Sequence, residues 1–240
     1  MKASSFEFRY RALLIGLAYT VGFWAYAVDH VNVVWAIVRE MVRPDSARGL
    51  LLTHLFFAFA TLLVVLGALI RTWGAAYLRS DVVHDANLHS RVLVADGPYR
   101  YVRHPLYLGG ILATFGVGLM ASRLGFVILV VSLTLLYIRL ADREEAELEQ
   151  QQGEGYREFR RRVPRLWPSI TPRLPAGQAK PQWGQAFRGE AFMWGFALAV
   201  GAFAVTLSLL VSGIIWAVGL LAFFQQQYVH NRRRRVATEA

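Results

Sequence analysis

The stretch "GPYRYVRHPLYLGG", Gly97 to Gly110, sets Tyr99, Arg103, His104 and Tyr107 at the mouth of an apolar run. Further along, "REEAELEQQQGEGYREFRRRVP" sets Arg143, Glu144 and Glu145 just beyond the end of another, with Arg139 a turn earlier. These residue types complement one another. Carboxylates accept hydrogen bonds from hydroxyls or ammonium groups, while histidine and arginine donate to anions. Tyrosine rings stack on planar groups or face a cation. Ionisable groups at membrane depth are costly to keep and mark a site by default.

The elements that position them follow from composition. The chain of 240 residues is 55% hydrophobic and carries a net charge of +10, with a mean hydropathy of +0.36. Its apolar residues come in long runs, which predicts an all-α integral membrane protein. Arginines flank those runs, so the positive-inside bias and anionic headgroups explain the charge better than nucleic acid does. Arg232 to Arg235 read as a cytoplasmic membrane-edge anchor. The absence of cysteine excludes disulfide and thiolate chemistry. No small-residue cleavage site follows the first run, which is expected to be retained.

Ala12 to Val28, Leu50 to Ile70, Pro105 to Met120 and Leu124 to Leu140 each read as a span. Ala191 to Phe224 reads as two, divided at Ser212-Gly213. The total is about six transmembrane helices with both termini inside. Residues 71–104, with Arg71, Arg79, Arg91, Arg100 and Arg103, read as a cytoplasmic connection. Only Ala121 to Arg123 separates the third run from the fourth, which predicts a helical hairpin over about 105–140. Both of its ends then meet at the cytoplasmic face, and Tyr99, Arg103, His104, Tyr107, Arg139, Arg143, Glu144 and Glu145 line one polar pocket. Gly110, Thr114 and Gly118 form a small-residue face for close helix approach. After the fourth run the helix continues, breaks at Gly153 or Gly155, and gives a short amphipathic helix that stops at Pro164.

The RHPLY element at 103–107, followed one hairpin later by Glu144-Glu145 and the G-E-G-Y…VP segment, resembles the isoprenylcysteine carboxyl methyltransferase family and the related phospholipid methyltransferases. The resemblance covers about residues 50–170. It implies a membrane enzyme that takes S-adenosylmethionine from the cytoplasm and a lipophilic or prenylated acceptor from the bilayer, most like carboxyl O-methylation of an isoprenylated cysteine. Carried over by residue, it implies cofactor contacts at Val92, Leu93, Val94, Tyr99, Arg103, His104, Pro105, Leu106, Tyr107, Glu144 and Glu145. Val92 to Val94 belong to a strand-like "RVLV". It also implies an arginine that orients the acceptor, either Arg139 or Arg143. The chain divides accordingly into an N-terminal span and connection (1–49), a methyltransferase core (50–175), and a linker, extra C-terminal pair and basic tail (176–240).

Phospholipid amine N-methylation is a second reading. A third is an NADPH-dependent membrane sterol-type reductase, whose similar motif commonly has Asn where this chain has Leu106. A non-enzymatic membrane scaffold is a fourth. His84, Asp85 and His89 lack i, i+4 spacing and a third ligand, so no metal is expected. No nucleic acid and no obligate protein partner are expected; membrane lipids are. Reporter fusions test the topology: those after Ile70 and Arg143 should report inside and one at Arg123 outside, whereas an inside signal at Arg123 would remove the hairpin.

Overall fold

The computed structural model describes residues 2–78 and 94–221, and these are helical throughout apart from turns and connections. The helices are α1 Ser5–Arg9, α2 Arg11–Trp24, α3 Val33–Met41, α4 Ala47–Tyr77, α5 Pro105–Gly118, α6 Arg123–Gln152, α7 Glu154–Arg162, α8 Trp183–Gly189 and α9 Ala191–Thr206, with α10 over Leu209–Leu221. Two of them, α4 and α6, are long and apolar enough to cross a membrane. The pair α8 and α9 is bent by 62° and adds a third span if counted as one. These helices mark an integral membrane protein. Each of the six expected runs is helical over its described residues, but Arg11–Ala27, Pro105–Gly118 and Leu209–Leu221 are shorter apolar helices. Among the described residues, the expected six spans are therefore matched by length in two or three.

The core is α4 packed along α5. Small residues allow it. A Cβ on Gly67 would fall 2.5 Å from the Gly109 carbonyl oxygen, and one on Gly116 would fall 2.5 Å from that of Ala60. Close backbone approach of this kind lets dispersion, rather than a hydrophobic driving force, hold helices together in lipid. Gly110, Thr114 and Gly118 face the other way, to α6: Gly110 lies against the Tyr137 ring and Gly118 against Phe126.

The polar stretch that follows the first run, Asp29 to Asn32, has a purpose. Asn32 caps α3 by accepting from Val34 and Trp35, and its amide donates to the carbonyls of Leu119 and Ala121. Asp29 pairs with Arg123 at 2.9 Å and accepts from the Leu124 amide. The stretch thus caps the hairpin turn, whose own backbone groups would otherwise lack partners.

Three local expectations shift. Arg71 is not in a connection, because α4 runs on to Tyr77. The C-terminal turn falls at Leu207, which has φ of 49°, rather than at Ser212-Gly213. Ser208 caps α10 by accepting from the Val211 amide, and Ser212 sits within that helix, donating to the Ala199 carbonyl at 2.8 Å. Val94 is irregular rather than strand-like, and Arg91, Val92 and Leu93 lie outside the described residues. So do His84, Asp85, His89 and Arg232 to Arg235. The break after α6 is at Gly153, with φ of 55°, and α7 ends before Pro164.

Because a methyl on Gly116 would meet backbone, Gly116→Ala should destabilise the protein by about 1–3 kcal/mol. Gly16, on α2, has nothing within 4 Å of where a Cβ would stand and should tolerate alanine. Thermal unfolding in detergent compares the two, and equal melting temperatures would contradict the tight α4–α5 seam.

Candidate active site

His104 is the residue just before α5, and Pro105 opens the helix, where its missing N–H costs nothing. The His104 ring reaches α6 at Glu144 and Glu145. Its Nε2 lies 2.9 Å from Glu145 Oε1, and Nδ1 lies 3.8 Å from Glu144 Oε2. Tyr107, one turn on, donates to Glu144 Oε1 at 2.7 Å. The His104 and Tyr107 rings stack with centroids 5.6 Å apart. His104, Glu144 and Glu145 are all buried. Two acids therefore straddle one imidazole, each with a further partner of its own.

Glu145 is the more heavily engaged. Arg103 NH1 and Arg165 Nε both stand 3.3 Å from its Oε1. Arg165 also donates to Asp142 and to the Ile138 carbonyl. Neighbouring cations on a buried carboxylate offset its desolvation. Among the described residues, Arg103 Nε and NH1 and Arg165 Nε are buried without an aligned hydrogen-bond acceptor. Burial pushes the nearby Tyr156 hydroxyl up, so it stays protonated.

The proline-rich linker is laid across this cluster. Pro164 and Arg165 carbonyls accept from the Arg103 and His104 amides at 2.8 and 3.2 Å. Further on, Ser169 and Arg173 amides donate to Tyr101 and Arg100 carbonyls, and Asp96 accepts from Gly177 and Ala179. The segment 96–104 is thus fastened on its outer side by 164–179. Gly97 fits against the Tyr77 ring with φ of 57°, where a Cβ would meet ring carbons at 2.4 Å. Tyr99 is buried in the same turn.

The expected residues divide into two groups. Arg103, His104, Tyr107, Glu144 and Glu145 come together, with Pro105, Leu106 and Tyr99 on the same segments. Arg139 and Arg143 lie on another face of α6, towards the N-terminus. Arg139 makes a two-pronged pair with Glu7 at 2.9 and 2.8 Å. Arg143 pairs with Glu147 and donates to Ala3 and Ser5. The Arg139 hydrogen bond and the Ser4 amide hold the Glu7 carboxyl down from 4.5 to about 2. A depressed acid contributes its share of docking above about pH 4.5 and loses it as pH falls towards 2.

Sequence reasoning missed Arg165, which only looked like the end of a basic helix. It also missed the Arg71–Glu190 pair. Arg71 Nε and NH2 donate to Glu190 Oε2 and Oε1 at 2.6 and 3.0 Å, and NH1 donates to the Leu106 carbonyl at 3.0 Å. A lone arginine closing one apolar run and a lone acid opening another were the available signal.

Removing charge separates the two acids. Glu145→Gln leaves Arg103 and Arg165 short of a counter-ion and should cost about 3 kcal/mol. Glu144→Gln keeps an acceptor for Tyr107 and should cost at most about 1 kcal/mol. Chemical or thermal unfolding measures both, and equal losses would contradict the ranking.

The phospholipid methyltransferase family model matches residues 55–154. The cobalt-zinc-cadmium resistance protein CzcN of Cupriavidus metallidurans is 28% identical over 152 residues, 63% of this chain and 64% of that protein. The methanethiol S-methyltransferase of Crocosphaera subtropica is 42% identical over 74 residues, 30% of this chain and 28% of that enzyme. The chain thus aligns with under two thirds of either relative's length. No solved structure matches it. The matched segment holds most of α4, all of α5 and α6, and the whole His104–Tyr107–Glu144–Glu145 cluster, and over this segment, 55–154, the chain is similar to the phospholipid methyltransferase family.

Proposed function

We infer that the protein transfers a methyl group from S-adenosylmethionine to a lipophilic acceptor at the cytoplasmic face of a cell membrane. One observation carries this reading: the cluster of His104, Tyr107, Glu144 and Glu145 ties the start of α5 to α6 inside the family-matched segment. The residues present fit the cofactor. Arg103 retains buried N–H groups without an aligned acceptor among the described residues, which suits a carboxylate. Glu144 suits an ammonium or ribose hydroxyls, and the stacked rings of His104 and Tyr107 suit an adenine or an onium face.

When bound, S-adenosylmethionine supplies a methyl group activated on a sulfonium. The protein's part is alignment and exclusion of water, because an in-line displacement depends on geometry more than on a strong acid or base. Glu145 fixes the His104 ring through Nε2 and leaves its other face towards Glu144. Tyr107 fixes the Glu144 carboxylate. The strap 164–179 covers the outer side, leaving the apolar helices as the route for an acceptor from lipid. Val92, Leu93 and Val94 would flank the adenine. An isoprenylated cysteine carboxylate is the acceptor proposed first; it needs orientation by a cation and no proton removal. For Arg139 or Arg143 to give that orientation, it would exchange its contact with Glu7 or Glu147 for the acceptor's acid group. A thiol is the second acceptor, favoured by the segment shared with a methanethiol S-methyltransferase.

Calorimetry on the purified protein tests the cofactor, and labelled-methyl transfer to prenylcysteine and alkanethiol acceptors tests the chemistry. S-adenosylmethionine should bind and NADPH should not. Glu144→Gln should weaken binding at least tenfold, about 1.4 kcal/mol, with unchanged expression. Binding of NADPH instead would replace this reading with a reductase.

A further inference from the structure

Glu190 and Arg71 form a deeply enclosed ion pair: their side chains are 1% and 15% exposed. Arg71 sits in α4, within the family-matched segment. Glu190 lies outside it, at the bend between α8 and α9. The carboxylate takes two of the guanidinium's donors, and a third goes to the Leu106 carbonyl in the first turn of α5. The guanidinium also lies over the Phe192 ring at 5.6 Å. The passage is narrow. A Cβ on Gly109 would meet Arg71 Cγ at 2.6 Å, so the first glycine of the "LGG" triplet makes room for this arginine while the second, Gly110, makes room for Tyr137.

Docking the C-terminal helices does not by itself call for this pair. They already hold α4 through Trp194 Nε1 to Thr72 at 3.1 Å, through the Gln182 amide to the Ala76 carbonyl at 2.7 Å, and through a shared apolar core with Met193, Ala197, Val200 and Phe203. Buried ion pairs are commonly no more stabilising than apolar groups of similar size. What apolar groups could not supply is the third hydrogen bond, into the turn that carries Leu106 and Tyr107. Tyr107 and Tyr137 both lie within electrostatic range of the guanidinium.

We propose that Glu190 is a positioning residue for the methyl-transfer site: it fixes Arg71, which holds the Leu106 carbonyl and so sets the turn from which His104 and Tyr107 reach the paired acids. The C-terminal helices are then part of the working site rather than an appendage to it. The methyl-transfer half of this statement rests on the function proposed above; the structural half does not.

The test uses the full chain in bilayers with three variants. Glu190→Gln keeps shape and removes charge. Glu190→Asp keeps charge. Arg71→Met with Glu190→Leu replaces the pair by apolar groups and guards against simple misfolding. Two readouts are taken: amide exchange across residues 105–110, which needs no cofactor, and kcat apart from KM for methyl transfer. Glu190→Gln should speed exchange in that turn at least fivefold and lower kcat at least tenfold. Glu190→Asp should recover part of both. The double variant should melt close to wild type, yet keep the fast exchange and depressed kcat. Wild-type exchange and kcat, within twofold, in the double variant would overturn the proposal and leave the pair a packing feature. So would unchanged exchange in Glu190→Gln. If the wild type transfers no methyl group, the function reading falls, and the exchange results still decide the strut.

Discussion

A carboxylate buried among cations organises this molecule. Glu145 lies between His104, Arg103 and Arg165, so three segments distant in sequence must meet for its charge to be tolerated. An unpaired carboxylate there would be expensive, and each cation alone would be as well. The α5–α6 hairpin brings the first two to the third's strap, and the strap's backbone closes on the Arg103 and His104 amides. Register at this joint is therefore set by electrostatics, whereas packing along the rest of the bundle is set by glycines that let backbones touch.

The same joint explains why polar chemistry stands where the chain enters an apolar run. On the proposed function, a charged methyl donor would come from water and a lipophilic acceptor from lipid, and only the boundary serves both. Glu145 and the strap hold the segment that carries Arg103 and His104. Arg71 and Glu190 form a second charge cluster, tied to the first turn of α5 through the Leu106 carbonyl, next to the Tyr107 that holds Glu144. Glu144 is held by Tyr107 and lies near His104.

Much of this was legible in the sequence. The apolar runs marked the stretches that become α2, α4, α5, α6, α9 and α10, Gly153 and Pro164 bounded α7, and motif spacing across a short hairpin brought His104 to the acids. What was not legible depended on partners far away in the chain. Arg71 looked like a connection charge because nothing near it in sequence reveals Glu190. Arg139 and Arg143 looked equivalent to the acids' neighbours, yet helical periodicity turns them towards Glu7, Ala3 and Ser5. The C-terminal turn was misplaced by about one helical turn because Ser-Gly is a common turn pair. A left-handed leucine and an N-capping serine make the turn instead, while Ser212 finds a helix carbonyl. The linker's prolines signalled a break in helix but not that its amides would bind the motif.

The central claim is that the methyl donor sits on the His104–Tyr107–Glu144 face of this joint. Photo-crosslinking with labelled S-adenosylmethionine, followed by peptide mapping, tests it most directly. The account predicts label on peptides that include residues 99–107 or 144–145, competed away by S-adenosylhomocysteine and untouched by NADPH. Label confined to other helices, or displaced by NADPH, would contradict it.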